Sequence, residues 1–314
     1  WRNPVNTIHP TTLREFVENN PKLVTRRESK LYPGLFVLKY AKEVFYKNRW
    51  NESNFLLETR GLVVDADYNV VIKPFTKVFN YGENGTTIHR DEVCRAVRKI
   101  NGFLGVVTYD PKLSSKLIYS TTGSLDSDFC ELIEKHVEHM SDDIINRICV
   151  GKKMTLMFEI CDSVEDPHII PEEDGAWLIG AETYGTVQAN ETALDMWAKH
   201  IDAKRPEWHY AKFDQIVKLA NECDHEGYMV YGLDSGTALK IKSPYYLTSK
   251  FLARMSPKKM EAILRDKNTA YQNFDEEFYP LIDYIRNNSA CFECLTEQGR
   301  LQVIRDFLKD ANNK

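Results

Sequence analysis

Lys99-Ile100-Asn101-Gly102 stands where a strand is expected to emerge, ahead of the apolar run Phe103-Leu104-Gly105-Val106-Val107. A lysine amine attacks phosphorus only after losing its proton, and at neutral pH an ordinary lysine keeps it. Neighbouring cations favour the neutral amine. Lys240 and Lys242 are such cations, and they point to one face of a strand because side chains alternate. Two like charges side by side call for an anion between or above them, and a triphosphate is one. The other reading of the pair is a solvated edge strand, where lysine is common. Glu159 sits among Met157, Phe158 and Ile160, where a carboxylate is costly unless paired or bound. It is a ligand for ribose or metal, or half of a structural ion pair. Glu226, before Gly227, is a metal ligand, an orienting group for Lys99, or an ordinary turn acid. Gly102 would let the backbone pass close to a nucleotide. Alone, Lys-x-Asn-Gly equally describes a surface lysine before a turn glycine.

The elements that would position these residues are legible in outline. Residues 11–18 read as a short helix capped by Thr11 or Thr12. Strand-like runs occupy 35–39 and 44–46, and Pro33-Gly34 supplies a turn. Residues 61–65 and 69–72 read as a hairpin turning at Asp67-Tyr68. Residues 91–98 form a helix or a strand leading into Lys99. Strands are expected at 103–109, 117–121, 154–160, 176–182, 228–232 and 238–242. The apolar spacing from Phe129 to Ile148 predicts one helix over 126–148, with further helices at 191–200 and 213–221. Without a regular βαβ period, this is an α+β fold with antiparallel sheets. After Pro244 the pattern is helical, at 246–255, 257–265, 275–286 and 299–308. Hence a boundary is expected near residue 243, with a main domain over 1–243 and a small all-α domain over 244–314.

At 314 residues and 43% hydrophobic content, the chain can bury one large core and a smaller one. A net charge of −5 excludes a uniformly basic nucleic-acid coat, but 41 Lys and Arg leave room for a local basic groove. No apolar run approaches a membrane span and no secretory leader pattern opens the sequence, so a cytoplasmic protein is expected. Seven irregularly spaced cysteines suit a reducing compartment. The spacing of Cys291-Phe-Glu-Cys294 relative to Cys223 and His225 matches no standard zinc finger.

In order, the nucleophilic lysine, strand carboxylate, Glu226-Gly227 and Lys-x-Lys resemble the covalent nucleotidyltransferase superfamily of ATP-dependent ligases and mRNA capping enzymes. Glu58-x-Arg60-Gly61 and Pro74-Phe75-Thr76-Lys77-Val78-Phe79-Asn80 narrow the resemblance. They are similar to segments of ATP-dependent RNA ligases, the class typified by the tRNA-repair RNA ligase of T-even phages. The likeness runs from about Leu57 to Leu247. Phe158-Glu159-Ile160-Cys161-Asp162 through His168-Ile169-Ile170, and Asn101, are also similar to the ligase domain of fungal tRNA-splicing enzymes.

The resemblance implies a ligase fold and a lysyl-AMP intermediate on Lys99, with Glu226, Lys240 and Lys242 assisting. It implies that Arg60, Lys77, Phe79, Gly102 and Glu159 join Lys99, Lys240 and Lys242 in handling ATP. Magnesium or manganese would lie near Glu159 and Glu226. The partner would be RNA with 5′-phosphate and 3′-hydroxyl ends, cleaved tRNA among them, acted on by a monomer, in the host cytoplasm if the chain is phage-encoded. Thr122-Gly123-Ser124 departs from the phage class, which has Lys-Gly-Ser there. The phosphate contact would then be a hydroxyl bond or come from Lys116. The rivals are a DNA ligase or capping enzyme, and a non-catalytic RNA-end binder on the same scaffold. The helical tail is expected to select RNA, so that a chain stopped at residue 247 keeps its chemistry on ATP.

Overall fold

The computed structural model describes residues 8–149, 154–183, 189–310 and 312. Among them the strands, in chain order, are β1 (Val24–Glu28), β2 (Phe36–Tyr40), β3 (Arg60–Val64), β4 (Val70–Ile72), β5 (Phe79–Asn80), β6 (Val93–Arg98) and β7 (Phe103–Tyr109). They continue with β8 (Ile118–Ser120), β9 (Met154–Cys161), β10 (Gly175–Thr183), β11 (Trp208–Lys212), β12 (Gly227–Gly232) and β13 (Ala238–Lys242). The fold is α+β, with antiparallel sheets and a helical C-terminal region.

The chain divides into two compact units of non-contiguous segments. One comprises Trp1–Val44, Arg49–Lys77 and Ile100–Glu207. It holds two four-stranded sheets, ordered β1-β2-β3-β4 and β10-β9-β7-β8. Val37, Val63 and Ile72 from the first sheet and Val106 and Ile118 from the second share one apolar cluster. Every residue of β9 is buried, as a strand packed on both faces requires. On the other side of this sheet, Ile133, Val137, Met140 and Ile144 pack with Leu156, Phe158 and Ile160.

The helix expected over 126–148 is broken. An α-helix over Asp128–Val137 gives way to a 3₁₀ turn, a short α turn and a π turn over Ile144–Ile148. Tightening and then widening the turn keeps Met140, Ile144 and Ile148 facing the core although their spacing drifts from 3.6 residues. The strand-like run at 44–46 belongs to a helical turn, Lys42–Tyr46, because only Val44 points inward and no alternation is served. Strands β1 and β11 were not legible, since four of the five residues of β1 are exposed and no residue of β11 is buried.

The other unit comprises Phe45–Asn48, Val78–Lys99 and Trp208–Lys314. Its sheet runs β11-β6-β12-β13-β5, with β5 parallel to β13 and the other neighbours antiparallel. One face packs Cys94, Ala96, Val230, Leu239 and Ile241 against Phe213, Ile216 and Ala220 of the helix Phe213–Glu222. Lys240 and Lys242 therefore leave the opposite face. The helices after β13 are Pro244–Arg254, Pro257–Arg265, Lys267–Asn273, Tyr279–Asn287, Ser289–Cys294 and Glu297–Asp310. These helices are grouped in the same compact unit as this sheet. The aromatic cluster of Phe251, Phe274 and Phe278 ties three of the tail's segments together.

Candidate active site

Lys99 is the last residue of a segment of the five-stranded unit, Val78–Lys99. In the five-stranded unit, β6 ends at Arg98, and the Lys99 N–H donates to the Gly227 carbonyl at 2.9 Å. This bond extends the β6–β12 ladder by one rung and sets Lys99 beside Glu226. The Lys99 ammonium lies 3.0 Å from Glu226 Oε2. Glu226 is 3% exposed and Lys99 21%, so the carboxylate is fixed while the amine stays reachable. The other oxygen of Glu226 faces Lys242 Nζ at 3.9 Å.

Gly227 makes this geometry possible. Its φ is +128°, and a Cβ there would fall 2.0 Å from the Ile241 carbonyl oxygen. Only glycine lets β12 approach β13 so closely at the residue after Glu226. Phe79 pairs with Leu239 and Asn80 with Lys240, which places the aromatic residue on the strand next to the two lysines.

Lys242 has a further partner that sequence reasoning missed. Its ammonium lies 2.9 Å from Glu277 Oε1, and Lys250 Nζ lies 2.7 Å from the same oxygen. Burial works against the charged form of Lys242, but Glu277 and then Glu226 outweigh it and hold the group above the ordinary lysine range. Burial likewise disfavours the Glu277 carboxylate, and Lys242 and Lys250 reverse that, holding it below the usual carboxylate range. No local motif marks Glu277, which lies 35 residues beyond Lys242.

In the other unit, the Glu58-x-Arg60-Gly61 and Pro74 to Lys77 segments are stitched together. Glu58 accepts from Thr76 Oγ1 at 3.0 Å and pairs with Lys73 at 3.2 Å. The Lys77 N–H donates to the Leu57 carbonyl at 2.8 Å. The Lys77 ammonium sits 5.1 Å from the centre of the Trp50 ring, a cation–π distance. Gly61, with φ +88°, lets the Thr122 backbone approach, since a Cβ there would lie 2.7 Å from Thr122 Cα. Half-buried Arg60 thus lies beside the Thr122-Gly123 turn.

A second missed residue, Lys39, is paired with Arg60 across β2 and β3. A Cβ on Gly123 would lie 3.2 Å from Lys39 Nζ. Desolvation of the ammonium, then Arg60 and Lys42, lowers the Lys39 pKa. A lone lysine directly after the apolar run Leu35-Phe36-Val37-Leu38 was the available signal. Lys116 lies exposed in the loop before β8.

Glu159, 8% exposed on β9, accepts the Gly102 N–H at 3.1 Å. Gly102 itself is required by packing, because a Cβ would fall 2.2 Å from the Ile160 carbonyl oxygen. Buried Asn101 accepts from the Ile170 N–H at 3.0 Å, which fixes the chain after Lys99 to the segment holding His168 to Ile170. Asp162 follows β9 and accepts from Lys135 at 2.7 Å and from the Val164 and Glu165 N–H groups. No group of three or more His, Cys, Asp or Glu residues able to hold a metal occurs among the described residues. A divalent ion that keeps its waters and leans on phosphate needs only one or two carboxylates, a demand that Glu159 fits. Glu226, the other carboxylate expected near a metal, faces the Lys99 and Lys242 ammonium groups. The seven cysteines are all free, and Cys291 and Cys294 are exposed.

The RNA ligase family model matches residues 58–251, a span covering both sets of residues. The chain belongs to the RNA ligase family. An archaeal ATP-dependent RNA ligase structure aligns with a TM-score of 0.57 at 10% identity, over 97% of this chain and 79% of that one. A protein of Aquifex aeolicus described as a candidate ATP-dependent DNA ligase aligns with a TM-score of 0.52 at 11% identity, over 97% and 78%. The ligase fold is therefore shared with both nucleic-acid classes. An RNA ligase of Naegleria gruberi, solved with PPi, aligns with a TM-score of 0.42 at 14% identity, over 52% of this chain and 53% of that one. The match thus spans about half of the Naegleria protein. No curated protein matches the sequence. Among the described residues no helix is long and apolar enough to cross a membrane.

Proposed function

We propose that this member of the RNA ligase family is an ATP-dependent RNA ligase that works through a lysyl-AMP intermediate on Lys99. The observation that carries the reading is the Lys99 amine held 3.0 Å from buried Glu226, beside a strand that presents Lys240 and Lys242. Lys99 gives up a proton and its nitrogen attacks the α-phosphorus of ATP. An N–P bond forms, an O–P bond breaks and pyrophosphate leaves. The AMP then passes to the 5′-phosphate of an RNA end. A 3′-hydroxyl attacks the activated phosphate, a phosphodiester forms and AMP departs.

Glu226 orients the amine before attack. Lys240 and Lys242 offset the charge that develops on the phosphate oxygens. Arg60 and Lys77 bind phosphates, and Lys39 joins Arg60 as the cation that Thr122 does not supply. Phe79 offers its ring to the nucleotide. Glu159 holds the Gly102 backbone and is the carboxylate on which magnesium or manganese would lean. When bound with ATP, that ion neutralises phosphate charge. The substrate is RNA with a 5′-phosphate and a 3′-hydroxyl, including cleaved tRNA, joined by a monomer in a reducing compartment such as the cytoplasm.

Because the fold is common to RNA and DNA ligases, the test compares substrates. The protein is incubated with ATP, magnesium and 5′-phosphate strands of RNA or DNA, as single strands, nicked duplexes and cleaved anticodon loops. Sealing of RNA in preference to DNA is expected. Sealing of DNA alone would overturn the RNA assignment, and no sealing with no covalent label would leave an RNA-end binder.

A further inference from the structure

We propose that Glu277, in the helical C-terminal region, is a positioning residue for Lys242. The tail would then take part in the chemistry on ATP as well as in choosing RNA. This deepens the reading above and rests on its assignment of Lys242.

The geometry is a chain of alternating charges within one compact unit. Lys99 pairs with Glu226 Oε2 at 3.0 Å, Glu226 Oε1 faces Lys242 at 3.9 Å, and Lys242 pairs with Glu277 Oε1 at 2.9 Å. Lys250 joins the same Glu277 oxygen at 2.7 Å and reaches Asp275 at 2.6 Å. Arg254 closes the group on Asp275 at 2.6 Å. The Lys242 and Glu277 side chains are 11% and 6% exposed, so water screens their interaction weakly. Both Lys242 and Lys250 lie 5.4 Å from the centre of the Tyr246 ring, whose face confines them further.

The arrangement settles where Lys242 points. Lysine has three rotatable donors on a flexible stem, so its direction is set by its partners. Glu226 is the alternative partner, and it is the carboxylate that holds Lys99. Glu277, with the shorter contact, draws Lys242 aside and leaves Glu226 to the nucleophile. Without the Glu277 charge, Lys242 and Lys250 would face each other as like charges. Lys242 would then turn toward Glu226 and compete with Lys99.

The contacts come from a segment that the catalytic strand does not contain. Glu277 lies in the 3₁₀ turn Glu276–Phe278, and Phe278 is fully buried against Phe251. Asn312 adds a second tie, donating to the Lys242 carbonyl at 3.0 Å.

The test uses the full chain and measures the rate of covalent labelling by radioactive ATP with magnesium, with ATP varied to separate the maximal rate from KM. Glu277→Gln keeps the side chain's size and removes its charge. We expect its maximal labelling rate to fall about tenfold or more, the scale of one misplaced electrostatic contact. Glu277→Asp should recover part of that loss. In a Lys242→Ala background, Glu277→Gln should add less than about a twofold loss, because one pathway is already gone. Lys250→Met, which leaves the Lys242–Glu277 pair in place, should label within about threefold of the parent protein, a small loss by the same coupling argument. The inference is overturned if Glu277→Gln labels at the parent rate, or if its loss multiplies in full with that of Lys242→Ala. It is also overturned if Lys250→Met loses as much as Glu277→Gln, which would mark the cluster as scaffold alone. Should Lys242→Ala itself label normally, the role given to Lys242 fails, an outcome distinct from failure of Glu277.

Discussion

Lys240 and Lys242 share the sheet face opposite Leu239 and Ile241, which pack into the core. Two ammonium groups kept together on one strand make sense if an anion is to be stabilised there. We therefore expect Lys240→Ala and Lys242→Ala each to slow ligation at least about tenfold, roughly 1.4 kcal/mol in transition-state terms. Near-parent rates for both would leave the pair a structural role only, with Lys242 held in its buried ion pair with Glu277. Lys39 is argued from different evidence: its pairing with Arg60, its nearness to Gly123 and its lowered pKa. Lys39→Ala should raise the KM for ATP about fivefold or more in the labelling reaction, one phosphate contact of roughly 1 kcal/mol being lost. An unchanged KM would remove Lys39 from phosphate binding. At this scale the sequence was most informative for residues whose chemistry repeats along the chain. Lys99, Glu159, Glu226, Lys240 and Lys242 stand in motifs. Lys39 and Glu277 stand in none, because their roles come from pairing across β2 and β3 and from a tail that returns to β13.

Elements hold these side chains through a few fixed contacts, and β9 shows how. Its buried strand delivers Glu159 to the Gly102 N–H and is followed directly by Asp162, which gathers Lys135, His136 and two backbone N–H groups. The Lys135 bond, together with the other donors, holds the Asp162 carboxyl below the usual range despite the opposing effect of burial. A depressed folded-state pKa contributes stability that is fully present above the unfolded value of about 3.9 and is lost as pH falls through the folded value. Asp162→Asn should therefore cost about 2 kcal/mol at neutral pH. The gap between variant and parent should narrow as pH drops below about 4. Melts across pH check this, and a gap that stays constant with pH would contradict it. The hairpin at 61–72, β7, β9, β12 and β13 were legible because their apolar residues alternate or run unbroken between turns, whereas β6 was open between helix and strand. The helix over 126–148 was legible in extent, though its change to 3₁₀ and π turns was not, since spacing alone does not show how a turn accommodates drift. The helices Lys267–Asn273 and Ser289–Cys294 were passed over because seven and six residues carry too little periodicity to stand out.

At the scale of the molecule, composition and the helical pattern after Pro244 pointed to a separable tail. Its contacts group that tail with the sheet that carries Lys99, Lys240 and Lys242. Glu277 and Asn312 bond to Lys242 across a point that shows in sequence only as a change of pattern. A chain stopped at residue 247 lacks Glu277, and the proposed role of Glu277 bears directly on its chemistry on ATP. We expect such a chain to label at least about tenfold more slowly than the full protein even where its melt stays cooperative. Labelling at the full rate would restore the independent tail. The central claim is that Lys99 carries AMP, and one measurement addresses it most directly. The parent protein and Lys99→Ala are each mixed with α-labelled ATP and magnesium, and each is also given RNA that already bears a 5′-adenylate. The account predicts covalent label on the parent protein, none on Lys99→Ala, and sealing of the adenylated RNA by both. Label on Lys99→Ala equal to that on the parent protein would contradict it.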